Sequence, residues 1–121
     1  MSSEGPIFKI LPSREWQAAE RAGVFNGSSV DRADGFIHFS TAAQVAETAA
    51  RHFAGQDGLV LVAVNATRLG PALRYEPSRG GALFPHLYAP LPLEAVIWAR
   101  PLPLSANGRH QFPPEAEVRQ Q

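Results

Sequence analysis

Residues 59–64 read Leu-Val-Leu-Val-Ala-Val, a continuous aliphatic run of strand length that follows a glycine. Strands covered on both faces carry unbroken runs of this kind, whereas half-exposed strands alternate apolar and polar residues. We therefore predict a strand at residues 59–64 that is buried on both faces of a sheet.

Two further strands are predicted upstream of this run. Residues 7–11 form a short apolar run that ends at Pro12, and residues 36–39 form a second one. A proline cannot donate to a sheet ladder and therefore marks the end of the first run. In the second run Phe36 and His38 are expected to share one face of the strand, because successive side chains alternate.

The same upstream region predicts two helices. The first begins at Ser13, a preferred N-cap residue, and ends at Gly23, a residue typical of helix stops. The second follows a capping-box pattern formed by Thr41 and Gln44, and it carries apolar residues at a spacing of four. An irregular polar loop is expected between them, over residues 31–35.

The downstream half is rich in proline and predicts short strands at residues 73–76 and 95–99. Helices early and strands late favour an α+β fold with a small, mixed and split β-sheet over a doubly wound parallel sheet. We expect a single α+β domain over residues 1–104. Residues 105–121 are polar, contain Pro113-Pro114 and end in glutamine, so we expect a loosely ordered tail there.

Composition excludes several classes of protein. The chain has 121 residues, 45% of them apolar, which is enough for one independent core. It has no cysteine, so disulfides, thiolate nucleophiles and cysteine-based zinc motifs are excluded. Eleven basic and eleven acidic residues balance, which argues against a nucleic-acid partner. No run approaches the length of a membrane span, and a cytoplasmic location is expected. The oligomeric state is left open.

The stretch Asp-Gly-Phe-Ile-His-Phe-Ser-Thr at residues 34–41 is the first candidate for chemistry. His38 and Ser40 alternate onto the same face of the predicted strand. Thr41 and the first amides of the following helix make the end of this strand a predicted anion site. The structural alternative is a core histidine, with Ser40 or Thr41 acting only as a helix cap.

The stretch Phe-Pro-His-Leu-Tyr-Ala-Pro at residues 84–90 is the second candidate. Its prolines stiffen the chain, and His86 and Tyr88 would share a face. The alternative is an aromatic loop that packs over the sheet edge. Glu76, ten residues before His86, is a third candidate, and its alternative is a surface ion pair.

Two familiar chemistries have little support. His38, His86 and Glu76 could supply three metal ligands, but no tightly spaced ligand pair is present, so no metal is predicted. Ser40 lacks the glycine-flanked elbow of a serine hydrolase.

Taken with residues 7–10, Trp16 and Gln44, the two histidine motifs resemble the bacterial domain of unknown function 952 family over residues 7 to 100. More distantly, the order of elements is similar to the ADP-ribosyltransferase and RNA 2′-phosphotransferase superfold, in which a split mixed sheet holds a dinucleotide. The resemblance implies that Lys9 stands where that superfold carries an arginine or histidine. It also implies that His38 and Ser40 stand in the second-strand motif of that superfold, which supports the nicotinamide. In the same way it implies that Glu76 polarises a ribose hydroxyl.

These implications lead to three hypotheses. The first is a nucleotide pocket for NAD, ADP-ribose or a phosphorylated ribose, with transferase-like activity. In it Glu76, His38 and His86 are catalytic, and Lys9, Ser40, Thr41 and Tyr88 bind the ligand. No cofactor is required, and NAD would act as ligand or substrate. The second is a non-catalytic binding module for a small ligand or protein, which Lys9 favours because a lysine lacks the planar fork of arginine. The third is an interaction module that exposes residues 84–88 as an apolar patch.

Overall fold

A computed structural model describes residues 5–116 of the chain. The described part is an α+β arrangement of short strands and helices, which confirms the predicted class. The strands are β1 (Ile7–Pro12), β2 (Val24–Phe25), β3 (Ile37–His38), β4 (Ser40–Thr41), β5 (Leu59–Val64), β6 (Leu73–Pro77), β7 (Leu83–Leu87), β8 (Leu91–Pro92) and β9 (Val96–Leu102). The α-helices are α1 (Ser13–Ala22), α2 (Ser29–Asp34) and α3 (Val45–His52), and short 3₁₀ turns lie at Ala66–Ala72, Arg79–Gly81, Leu93–Ala95 and Pro114–Ala116.

Strand β5 lies inside a four-stranded sheet with the order β4-β1-β5-β9. Its side chains contribute to two separate cores, because Leu61 and Ala63 pack on one face of the sheet and Val62 and Val64 on the other. The continuous aliphatic run is explained by this double burial, and the prediction for residues 59–64 is confirmed.

A second, three-stranded sheet has the order β3-β7-β6, and β2 pairs with β8 separately. Every strand pair that the structure describes within residues 5–116 is antiparallel. The prediction of a mixed sheet is therefore wrong, although a division into separate sheets is observed. Strand direction depends on how distant segments are brought together, and hydrophobic patterning does not encode it.

Helix α1 covers the predicted residues. It ends at Gly23, which has a φ of +83° and donates its amide hydrogen to the Ala19 carbonyl. Ser13 is the first helical residue rather than the cap, because Pro12 occupies the N-cap position. Helix α3 begins at Val45, later than the Thr41 capping pattern indicates; Gln44 accepts from the Thr41 amide while Thr41 itself belongs to β4.

Helix α2 lies where the sequence predicts an irregular loop. Ser28 and Asp31 form a reciprocal capping box, in which the Ser28 side chain accepts from the Asp31 amide and the Asp31 side chain accepts from the Ser28 amide. The helix is too short and too polar to show an apolar stripe, so only its cap could have revealed it.

The predicted strand over residues 36–39 is interrupted at Phe39. His38 pairs with β7, whereas Ser40 pairs with β1, so the two residues belong to different sheets. Phe39 is buried between them, and its amide donates to the Pro85 carbonyl at 3.0 Å. The chain thus passes from one sheet to the other directly after His38.

The described part of the C-terminal segment packs against the domain instead of forming the loose tail that we expect from its composition. Leu104 and His110 form a β-bridge, and His110 Nε2 lies 2.8 Å from the Gln56 carbonyl oxygen. Ala116 is buried, and Phe112 packs against the same core cluster as Phe8. The polar composition concealed these contacts, since single apolar residues anchor the segment. Residues 117–121 lie outside the described residues.

Candidate functional site

His38 and His86 are directly opposite each other on the neighbouring strands β3 and β7. Their ring centroids lie 5.7 Å apart. The adjacent cross-strand pair, Ile37 before His38 and Leu87 after His86, is buried in the core. Because side chains alternate along a strand, burial of this apolar pair turns both imidazoles toward the opposite face. The two histidine motifs of the sequence therefore meet at one place.

Glu76 holds His86 and Tyr88 together. Its Oε1 lies 2.7 Å from His86 Nδ1 and accepts a hydrogen bond from the Tyr88 hydroxyl at 2.8 Å. The hydrogen bonds from His86 and Tyr88 lower the pKa of Glu76, and the bond to Glu76 raises the pKa of Tyr88 because ionised tyrosine cannot donate. Glu76 is half-buried and contacts His86 and Tyr88.

The second ring nitrogen of His86 has no hydrogen-bond partner among the described residues. The His86 residue is only 5% exposed. When Nδ1 carries the hydrogen and donates to Glu76, Nε2 presents a lone pair. An oriented imidazole with one free nitrogen is the usual form of a general base.

His38 is held differently, because both of its ring nitrogens face carboxylates. Nδ1 lies 2.7 Å from Asp31 Oδ1, and Nε2 lies 2.9 Å from Asp34 Oδ2. A doubly protonated ring donates to both carboxylates, whereas a neutral ring donates to only one of them. His38 is thus fixed in place, with both ring nitrogens engaged by carboxylates of the protein.

Asp31 connects this histidine to the first strand. It is 2% exposed and lies 2.9 Å from Lys9 Nζ through Oδ2. Burial alone would raise the pKa of Asp31, but the His38 hydrogen bond, the Lys9 charge and the Ser28 amide together lower it well below its usual range. Burial lowers the pKa of Lys9, and the attraction of Asp31 opposes that change. Lys9 is therefore engaged inside the protein.

Phe36 covers the pair of histidines. Its ring stacks on His86 at 4.1 Å between centroids and contacts His38 at 4.6 Å. Tyr88 lies 5.2 Å from the same ring, and the Arg74 guanidinium lies 5.2 Å from the Tyr88 ring centre. These contacts restrict the orientations of the rings without using their nitrogen atoms.

A cavity of about 590 Å³ opens beside the two histidines. Its wall combines apolar, hydroxyl and charged groups. The lining residues are Phe8, Lys9, Ile10, Leu11, Pro12, Glu15, Ser28, Ser29, Val30, Asp31, Asp34, His38, Phe39, Ser40, Thr48, His52, Phe53, Ser78, Phe84 and His86.

Four of the seven predicted site residues line this cavity, namely Lys9, His38, Ser40 and His86. The Ser40 hydroxyl forms a hydrogen bond of 2.8 Å with Thr48. The other three do not line it. Glu76 contacts His86 and Tyr88 without reaching the cavity. Thr41 does not lie directly before the amides of helix α3, because that helix begins only at Val45.

Sequence reasoning assigned no role to Asp31, Asp34 or Phe36. Asp34 and Phe36 stand inside the quoted 34–41 stretch, and Asp31 stands three residues after Ser28 in a capping-box spacing. That spacing was the available signal for Asp31, but a capping box does not reveal that the same carboxylate also reaches a lysine and a histidine.

Three further features of the described residues bear on function. Residues 84–87 are buried and only Tyr88 is substantially exposed, so the segment is not the apolar surface patch that an interaction module would need. Within residues 5–116, no three histidine, aspartate or glutamate side chains are arranged to hold a metal ion. Over the same residues, no helix has both the length and the apolar character needed to cross a membrane.

The fold and the cavity define a small α+β protein with a paired-histidine site. Residues 10–99 match the family described as protein of unknown function (DUF952), and the chain belongs to that family. The relation to ADP-ribosyltransferases that the sequence implies is not shown by this match. No curated protein matches the chain.

Solved structures of one bacterial protein are similar to this chain. The crystal structure of protein CC0527 from Caulobacter crescentus is 50% identical, has a TM-score of 0.88, and the match covers 93% of this chain and 99% of that one. The crystal structure of its double mutant gives 49% identity and a TM-score of 0.87 over the same shares of the two chains. The solution structure of CC0527 gives 54% identity and a TM-score of 0.80, over 88% of this chain and 91% of that one. These structures support the fold, and their descriptions name no activity.

Proposed function

We propose that the cavity binds a small ribose-bearing molecule and that His86 exchanges a proton with one of its hydroxyl groups. The observation that carries this proposal is the state of the His86 ring. Glu76 holds Nδ1 at 2.7 Å, Phe36 stacks on the ring face, and Nε2 has no partner among the described residues. His86 lines the cavity, so an unpaired ring nitrogen there supports a ligand contact.

The proton exchange requires little movement. A ligand hydroxyl placed against Nε2 donates its hydrogen there, and Glu76 stabilises the imidazolium through Nδ1. General acid–base catalysis by a positioned histidine contributes about 10²–10⁴ in rate. In this arrangement Glu76 is a positioning residue, because it contacts His86 and not the cavity.

Hydroxyl recognition has further support from the cavity wall. Ser40 and Thr48 contribute neighbouring hydroxyls to this wall. The volume of about 590 Å³ lies within the range of roughly 300–1,000 Å³ that is common for small-molecule sites. A sugar presents several hydroxyls at once and suits a wall of this composition.

Transfer of ADP-ribosyl or phosphoryl groups, which the more distant superfold resemblance implies, has less support. The Glu76 carboxylate faces His86 and Tyr88 and not a ribose site, and Lys9 is paired with Asp31 and not free to hold phosphate. A nucleotide such as NAD or ADP-ribose remains a prediction that follows from the resemblance.

A non-catalytic binding module is the second candidate. It is favoured by the network of Lys9, Asp31 and His38, whose hydrogen bonds are mutual and need no ligand. A network of this kind can be kept for stability alone. Incubation with NAD, ADP-ribose and nucleosides, followed by product analysis, separates the two candidates, since a binding module returns every probe unchanged.

Histidine-ring NMR tests the site itself. Titration with adenosine and with ribose should move the His38 and His86 ring signals together and saturably, whereas nicotinamide, which carries no ribose, should not. His110 is a matched internal control, because it contacts Gln56 and does not line this cavity. In the variant H86Q the binding of the same probe should weaken, whereas H110Q should bind as the unmodified protein does. The proposal is wrong if no ribose-bearing probe moves either signal, or if all histidine signals move equally.

A further inference from the structure

The charged side chains on the cavity wall indicate which ligand charge the cavity favours. Three carboxylates line the wall, from Glu15, Asp31 and Asp34. The side chains that can be positive there are Lys9, His38, His52 and His86. Among the side chains that the structure describes, this wall contains no arginine. Binding of an anionic ligand would therefore depend on whether these positive side chains are already paired with carboxylates of the protein.

Two of the cations are neutralised within the protein. The Lys9 ammonium lies 2.9 and 3.0 Å from the two carboxylate oxygens of Asp31 and is buried with it. His38 has a carboxylate at each ring nitrogen, at 2.7 and 2.9 Å. Glu15 adds a negative charge to the same wall, and His86 is held by Glu76 from behind.

The backbone amides nearest the cavity are partly engaged within the protein. Helix α2 begins at the cavity with Ser28, Ser29 and Val30, but its capping box uses the Ser28 and Asp31 amides internally. The Asp31 carboxylate also lies in the first turn of that helix, where it offsets the positive end of the helix dipole. The helix amides that were expected to follow Ser40 begin only at Val45.

We infer that the cavity selects ribose-bearing molecules that have no phosphate group and rejects their phosphorylated counterparts. This inference rests on the proposed function, since it narrows the ligand of the same site to nucleosides and free sugars. A phosphate dianion at the wall would meet the carboxylates of Asp34 and Glu15, while Lys9 and His38 are already paired with carboxylates of the protein. Electrostatic discrimination of this kind is strongest at low ionic strength.

Matched pairs of probes test the inference by calorimetry or by the histidine-ring shifts. Adenosine is compared with AMP, and nicotinamide riboside with nicotinamide mononucleotide. At low salt each phosphorylated probe should bind about tenfold more weakly than its partner, and the ratio should shrink as salt is added. A salt-independent ratio would indicate a steric cause and would overturn the electrostatic argument.

Two variants sharpen the test. D34N removes a carboxylate and releases His38 Nε2, so it should bring AMP binding toward that of adenosine. E15Q should have a smaller effect in the same direction. E20Q is the matched control, because Glu20 lies on the same helix α1, carries the same charge and does not line the cavity.

The outcomes are distinguishable. If AMP binds as tightly as adenosine or more tightly, the selectivity is wrong while the ribose site stands. If neither member of either pair binds, the proposed function is wrong and the selectivity falls with it. If E20Q changes the ratio as much as D34N does, the effect belongs to the overall charge of the protein and not to this cavity.

Discussion

Asp31 Oδ1 accepts hydrogen bonds from both the ring Nδ1 and the backbone amide of His38, at 2.7 and 3.1 Å. This double contact fixes the histidine side chain relative to its own strand. Because Asp31 also binds Lys9 of β1, one buried carboxylate connects β1, α2 and β3. The site and the fold thus depend on the same residue.

Replacement of Asp31 by asparagine should lower the free energy of unfolding by about 3–5 kcal/mol, since it leaves the buried Lys9 ammonium without its carboxylate. Urea unfolding followed by tryptophan fluorescence measures the change. D57N, in an exposed loop, is the control and should stay within about 0.5 kcal/mol of the unmodified protein. A change below about 1 kcal/mol in D31N would contradict the central role of this carboxylate.

The ionisation of Asp31 should also make the stability of the protein depend on pH. Its pKa in the folded protein lies below the value of about 3.9 expected in the unfolded chain. The stabilising contribution is therefore fully present above that unfolded value and is lost as the pH falls below it. The stability difference between the unmodified protein and D31N should be constant from about pH 7 to 5 and then decrease toward pH 3. A difference that stays constant on acidification would show that another group is responsible.

The stack of Phe36 on His86 should be visible in the NMR spectrum. F36L keeps most of the apolar volume but removes the ring current, so the ring-proton signals of His86 should shift. Loss of the aromatic contact should cost about 0.5–1.5 kcal/mol. F112L is the control, because Phe112 packs against the core cluster that contains Phe8. This variant should lower stability without shifting the ring-proton signals of His86. Equal shifts in both variants would contradict the stacking.

Glu76 should control the ionisation of Tyr88. The hydrogen bond to the Glu76 carboxylate raises the pKa of Tyr88 above its ordinary value of about 10. In E76Q the pKa should therefore fall toward that value, because the negative acceptor is gone. Phenolate absorbance measures the titration, and the Y75F background leaves Tyr88 as the single tyrosine. An unchanged titration would mean that the two side chains are not in contact in solution.

The elements with clear local patterns were predictable. The aliphatic run of β5 identified a doubly buried strand, and the glycine after α1 identified the end of that helix, because both signals depend on neighbouring residues. The polar helix α2 was not predictable from periodicity, since its six residues bury little apolar surface. The break at Phe39 was missed because alternation alone does not show that a chain changes sheets.

The sequence by itself determined the α+β class, the strand that forms the centre of the larger sheet, and the residue types available for acid–base chemistry. Only the tertiary structure decided that His38 and His86 are cross-strand partners and that Asp31 joins Lys9 to His38. The reason is physical. A strand or helix signal arises from contacts within a few residues, whereas a site arises from strand register and antiparallel pairing between segments that are far apart in the chain. Register is set by burial of Ile37 and Leu87 against the rest of the core, and both imidazoles face the other way as a consequence.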